Sequence, residues 1–102
     1  MKAELLRGHL DLLLLSVLAD GPLHGYAAIE ELRTRGDFDV PEGTVYPALH
    51  RLELGGFLAS RWSSESGRRR RVYSLTRGGR RELARQRHEW RAFAGAVEAV
   101  VA

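Results

Sequence analysis

The stretch "PEGTVYPALHRLELGG" spans residues 41–56, and its reading decides the fold. From Thr44 onward Val45, Leu49 and Leu52 recur at i, i+4 and i+7, the spacing of one apolar helix face. A helix is expected from Glu42 or Thr44 to Leu54, stopped by Gly55 and Gly56. Pro47 opposes that reading, because an internal proline removes a backbone donor and crowds the carbonyl four residues back. With Val45, Leu49 and Leu52 turned to a core, Gly43, Thr44, Pro47, His50 and Arg51 occupy or flank the outer face, and Tyr46 stands at its edge. Two readings of Pro47 stay open. Its ring is an exposed apolar surface, with Gly43 relieving the crowding, or it merely tightens the first turn of a helix that begins late, at Thr44.

Upstream, Leu5 to Ala19 is strongly apolar and reads as a helix buried on more than one side, stopped by Gly21 and Pro22. Gly25 to Arg35 is a second helix with Ala28, Ile29 and Leu32 inward, closed at Gly36. His24 is expected to help begin it, and Tyr26 to pack beside the core. Downstream the period changes to two. "FLASRW" and "RRVYSL" alternate on either side of a polar, glycine-containing tip, which reads as a β-hairpin carrying Arg68, Arg69, Arg70 and Arg71. Alternation means these four cannot all point one way. Thr76 is a candidate N-cap for a last helix running to the end of the chain.

Three helices, a hairpin and a further helix make a mainly α fold with a small β-hairpin, of α+β class. It is the order of a winged helix-turn-helix, whose third helix enters the major groove while the hairpin wing touches the backbone beside it. The charge pattern fits a polyanionic partner. Residues 1–60 hold five Lys or Arg against nine Asp or Glu, and residues 61–102 hold eleven against four, so the net +3 conceals a strongly basic second part. Double-stranded DNA is the expected partner, with Gly43, Thr44, Tyr46, Pro47, His50 and Arg51 on the reading helix, and Tyr26, Arg68, Arg69 and Arg70 on the backbone.

In the last helix Leu83, Trp90 and Val97 recur every seven residues, and Phe93 and Val100 add a second position three further on. No other segment obviously covers that stripe. A chain of 102 residues is one small domain that gains from a partner subunit. The expected organisation is therefore a winged helix-turn-helix over residues 1–76 and a dimerisation helix over 77–102, packed as one unit in a homodimer. Trp90 is open to two compatible readings, dimer core and ligand-stacking surface.

Other classes recede. There is no cysteine, so disulfides and thiolate chemistry are absent. His9, His24, His50 and His88 stand singly with no metal-binding spacing, and no metal or cofactor is expected. No phosphate loop, nucleophile elbow or tuned carboxylate pair points to catalysis. The apolar run from Leu10 to Ala19 is too short to cross a bilayer and lacks a cleavage pattern, so no membrane partner and a cytoplasmic location are expected.

The succession "LLRGHLDLLLLSVLADGPLHGYAAIEEL", "EGTVYPALHRLELGGFLASRW" and "GRRRRVYSLTRGGRREL" resembles the PadR-type transcriptional regulators from about Leu5 to Trp90. The resemblance implies a dimeric bacterial winged-helix repressor of the compact subgroup, with a single C-terminal helix that makes the dimer. It also implies a planar aromatic effector, stacked by an aromatic residue of that helix, here Trp90. Pro41 departs from the pattern, standing where the family often has a serine able to cap the recognition helix. Two alternatives remain: a winged-helix module for protein association, and a DNA-architectural protein without a ligand.

Overall fold

Val45, Ala48, Leu49 and Leu52 are all buried, so the periodic face of residues 41–56 is the inner face of a helix, α3 (Glu42–Leu54). Each fully buried Val or Leu contributes about 1.5–3 kcal/mol, so three of them outweigh the roughly 3 kcal/mol cost of an internal proline. The helix starts early. Pro41 is its N-cap, and the Pro41 carbonyl accepts from the amides of Thr44 at 2.9 Å and Val45 at 3.1 Å. Pro47 therefore lies beyond the first turn, which rules out the late-start reading. The donor it lacks is the one that would have met the Gly43 carbonyl. A Cβ at Gly43 would meet nothing within 4 Å, so Gly43 does not relieve crowding either.

The structure, a computed structural model, describes Leu6, residues 8–65 and residues 67–102. Around α3 lie α1 (Leu10–Leu18), β1 (Leu23–His24), α2 (Gly25–Gly36), β2 (Leu58–Ser63), β3 (Arg70–Leu75) and α4 (Arg77–Val101). The expected start of the first helix at Leu5 falls outside the described residues. Within them the helix begins later, at Leu10, because Gly8 takes φ 85 and His9 is the N-cap. Leu14, Leu15 and Leu18 form the centre of the core with Val45 and Leu49. α2 ends at Gly36, with Asp37 in the left-handed conformation that Asp tolerates better than most residues.

The hairpin is part of a three-stranded antiparallel sheet in the order β1-β3-β2. Leu58 pairs with Leu75, Ser60 with Tyr73 and Trp62 with Arg71, which puts all six on one face. β1, unforeseen in the sequence, pairs Leu23 with Tyr73 and His24 with Val72. The wing is thereby fastened to the start of α2. At the far end Thr76 caps α4, accepting from the Gly79 amide at 2.9 Å and donating to the Gly56 carbonyl at 2.6 Å. A side chain at Gly79 would collide with the Phe57 carbonyl, 2.0 Å from an ideal Cβ, so glycine permits this close junction.

α4 has 25 residues, about 37 Å of helix, and stretches the molecule to 51 × 28 × 20 Å. Only Gly79 and Leu83 of α4 are buried. Leu83 was expected on the dimer face with Trp90 and Val97. Instead it is 3% exposed within the chain's own core, because the first turns of α4 pack on α1 and the sheet before the helix projects. Phe93, Val97 and Val100 are exposed, the last at 86%. Among the described residues no helix is long and apolar enough to cross a membrane.

Candidate nucleic-acid interface

With Val45, Ala48, Leu49 and Leu52 inward, the helical period places Gly43, Pro47, His50 and Leu54 along the middle of the outer face of α3. All four are exposed. Tyr46 and Glu53 lie on the flank next to the wing. Thr44 and Arg51 lie on the other flank. There the Arg51 guanidinium is taken up by Asp11 of α1, through bonds of 2.9 and 2.8 Å, so its charge is matched within the chain.

On the wing side an open cleft of about 610 Å³ lies between the starts of α2 and α3 and the hairpin. Its walls include Tyr26, Tyr46, Trp62 and Tyr73, and its rim carries Arg68, Arg69, Arg70 and Arg71 against the carboxylate of Glu42. Tyr46 enters because residue 25 is glycine: an ideal Cβ there would sit 2.3 Å from the Tyr46 ring. Tyr26, expected beside the core, is 53% exposed in this cleft.

The wing arginines are held in different ways. Arg69 lies 4.5 Å and Arg71 5.2 Å from the centre of the Trp62 ring, two cations against one indole. Arg71 also donates from Nε to Ser60 Oγ at 2.7 Å, and that hydroxyl donates to Glu53 Oε2 at 2.7 Å. The relay fixes the end of α3 against the wing. Arg70 approaches His24 Nε2 to 2.8 Å, while His24 Nδ1 accepts from the Ala27 amide at 3.2 Å as the side-chain cap of α2. A neutral imidazole has one acceptor nitrogen, so these two donors compete for a single lone pair. Burial first, and then the charge of Arg70, push His24 below the usual imidazole range. Arg68 is exposed near the hairpin tip.

A second hollow, of about 400 Å³, lies between His9, Asp11 and Leu12 at the start of α1 and Glu89, Trp90 and Phe93 of α4. Trp90 meets His9 edge to face at 5.3 Å and Phe93 at 6.3 Å. Arg85 beside it is forked to Glu82 and also paired with Glu89. The bonds from Arg85 and Gln86 hold the Glu82 carboxyl down at about 2.

The expected residues thus fall into separate places. Gly43, Pro47 and His50 share the face of α3; Tyr26, Tyr46 and Arg68 to Arg70 share the cleft; Trp90 and Phe93 lie apart on α4. Sequence reasoning did not foresee that Trp62 carries Arg69 and Arg71, or that Asp11 takes Arg51. The strand alternation could have found the first, since it puts Trp62 and Arg71 on one face. No group of three His, Cys, Asp or Glu side chains suited to a metal occurs among the described residues.

Comparison with known proteins agrees with this geometry. A transcriptional regulator from Clostridium thermocellum has a solved structure matching this one with a TM-score of 0.88, at 28% identity over 98% of this chain and 100% of the other. A PadR family transcription regulator from Clostridium difficile gives a TM-score of 0.85, at 34% identity over 93% and 100% of the two chains. The transcriptional regulator Rv3488 of Mycobacterium tuberculosis is 42% identical over 84 residues, which is 82% of this chain and 78% of that protein. Residues 14–85 match the transcriptional regulator PadR-like family. Family and fold are those of transcriptional regulators, which are not enzymes. The chain belongs to the PadR-like family of transcriptional regulators, built on a winged-helix fold.

Proposed function

We propose that this regulator acts as a homodimeric repressor on a near-palindromic DNA operator and is released by a planar aromatic effector. The observation that carries the DNA reading is the adjacency of two surfaces, the exposed Gly43, Pro47 and His50 face of α3 and the arginine-rimmed cleft beside it. α3 enters the major groove, where His50 reads base edges and the Pro47 ring meets a thymine methyl or a sugar. Thr44 and Tyr46 flank that contact. Tyr26, Arg68, Arg69 and Arg70 hold the phosphates beside it, fixing register without reading sequence.

Dimerisation is supported by the exposed stripe of Trp90, Phe93, Val97 and Val100 on a helix that projects past its own core. A twofold pair would set two recognition helices about 34 Å apart, one DNA turn. Trp90 beside a hollow supports the effector site. An effector that binds the DNA-incompetent arrangement more tightly would shift the spacing of the recognition helices.

Selection of binding sites from a randomised duplex library tests this reading. It should return an inverted repeat with half-site centres one turn apart. Enrichment of no sequence would leave an architectural or protein-docking role instead.

A further inference from the structure

Arg51 is the single Lys or Arg of α3, and its charge is already matched. Nη1 donates to Asp11 Oδ2 at 2.9 Å and Nη2 to Asp11 Oδ1 at 2.8 Å, a parallel fork across 40 positions of sequence. Asp11 stands in the first turn of α1, where the positive end of the helix favours a carboxylate. The side chain of Arg51 is 60% exposed and that of Asp11 32%. Ion pairs so wet contribute little to stability. What the fork does change is the charge that α3 presents. An unmatched arginine on the flank of a DNA-facing helix is an attachment point for any phosphate, whatever the sequence.

We propose that Asp11 sets the protein's sequence-independent affinity for duplex, by neutralising Arg51 in the DNA-free protein so that phosphate cannot recruit that cation. The proposal rests on α3 being the DNA-facing helix. A phosphate contact serves every sequence alike, so withholding it lowers the attraction of the free protein for bulk duplex and leaves discrimination between sequences to the base-reading face of α3. The wing arginines lie on the opposite flank of α3 and keep their own supports, Trp62, Ser60 and His24. The device therefore acts on one cation alone.

The test measures binding of a short fluorescein-labelled random-sequence duplex across a potassium chloride series, for the wild type, Asp11→Asn, Arg51→Ala and the double variant. Asp11→Asn should bind several-fold tighter, with a log K against log salt slope steeper by about one unit, the release expected for one added phosphate contact. Arg51→Ala should keep the wild-type slope, and the double variant should return to it. An Asp11→Asn slope equal to the wild type's overturns the proposal. So does a tightening that survives in the double variant, because the missing negative charge alone would then explain it. Asp11→Ser, which also breaks the fork, should repeat the Asp11→Asn result. Loss of helical circular dichroism in all three single variants would make the fork a structural clamp and overturn the proposal as well. Failure of the underlying reading looks different: His50→Ala, on the middle of the outer face of α3, would leave the affinity for every duplex unchanged.

Discussion

The Arg69 guanidinium lies over the indole of Trp62, 4.5 Å from the ring centre, with Arg71 at 5.2 Å. Cation–ring contacts at exposed sites are worth about 0.5–1 kcal/mol each. Their effect here is to hold two flexible cations in one place before DNA arrives, which lowers the ordering cost of binding. Trp62→Ala should therefore weaken binding to operator and random duplex alike, by several-fold, whereas Trp62→Phe should keep most of the affinity. Fluorescence anisotropy of a labelled duplex reads both. An unchanged Trp62→Ala affinity would reduce the stack to surface decoration.

The wing should also set the salt dependence. Replacing Arg69 and Arg70 by Ala should weaken binding to all sequences and make the salt slope shallower by roughly one unit for each phosphate no longer engaged. An unaltered slope would remove the wing from the DNA interface.

His24 gives the fold a pH dependence whose sign is fixed by its lowered pKa. Because the folded value lies below the ordinary imidazole value of 6.5, the unfolded chain binds more protons in the interval between the two, and stability rises with pH there. Acidification from about 6.5 toward the folded value removes that stability, as protonation puts a charge on a partly buried ring and sets that cation beside Arg70, and also turns the cap nitrogen that accepts from Ala27 into a donor. Urea unfolding at a series of pH values should show the loss. His24→Asn keeps an acceptor suited to the cap and should flatten the curve across that window.

What the sequence made legible was local chemistry. Val45, Leu49 and Leu52 announced the buried face of α3, and His24 and Thr76 announced two caps, because period and capping act within a few residues. Two-residue β1 has no period of its own and lies inside the turn-forming "DGPLHG", so nothing marked it as a strand. Asp11 and Arg51 are 40 positions apart, and only the packing of α1 against α3 brings them together. Leu83 shares the heptad spacing of Trp90 and Val97, and spacing cannot tell a core supplied by the same chain from one supplied by a partner. The outward side of α3 was readable, but the neutralisation of its only arginine was not.

α4 should behave as an association surface. A dimer makes unfolding temperature rise with protein concentration, and Val97→Asp together with Val100→Asp should abolish that dependence by placing charges on the stripe. Planar aromatic compounds should quench tryptophan fluorescence. Trp90→Ala should remove most of the quenching while the protein stays dimeric, and Trp62→Phe should keep it, since Trp62 lies on the wing. A monomeric Trp90→Ala would make Trp90 an interface residue without a ligand role.

The central claim is that the exposed face of α3 reads DNA sequence, and His50 stands in the middle of that face. The most direct measurement is the affinity of wild type and His50→Ala for the operator recovered by selection and for a scrambled duplex of the same length. Without the His50 imidazole, binding should weaken by about 1–3 kcal/mol on the operator and far less on the scrambled duplex. Equal losses on both duplexes, or none on either, would contradict a reading role for this face.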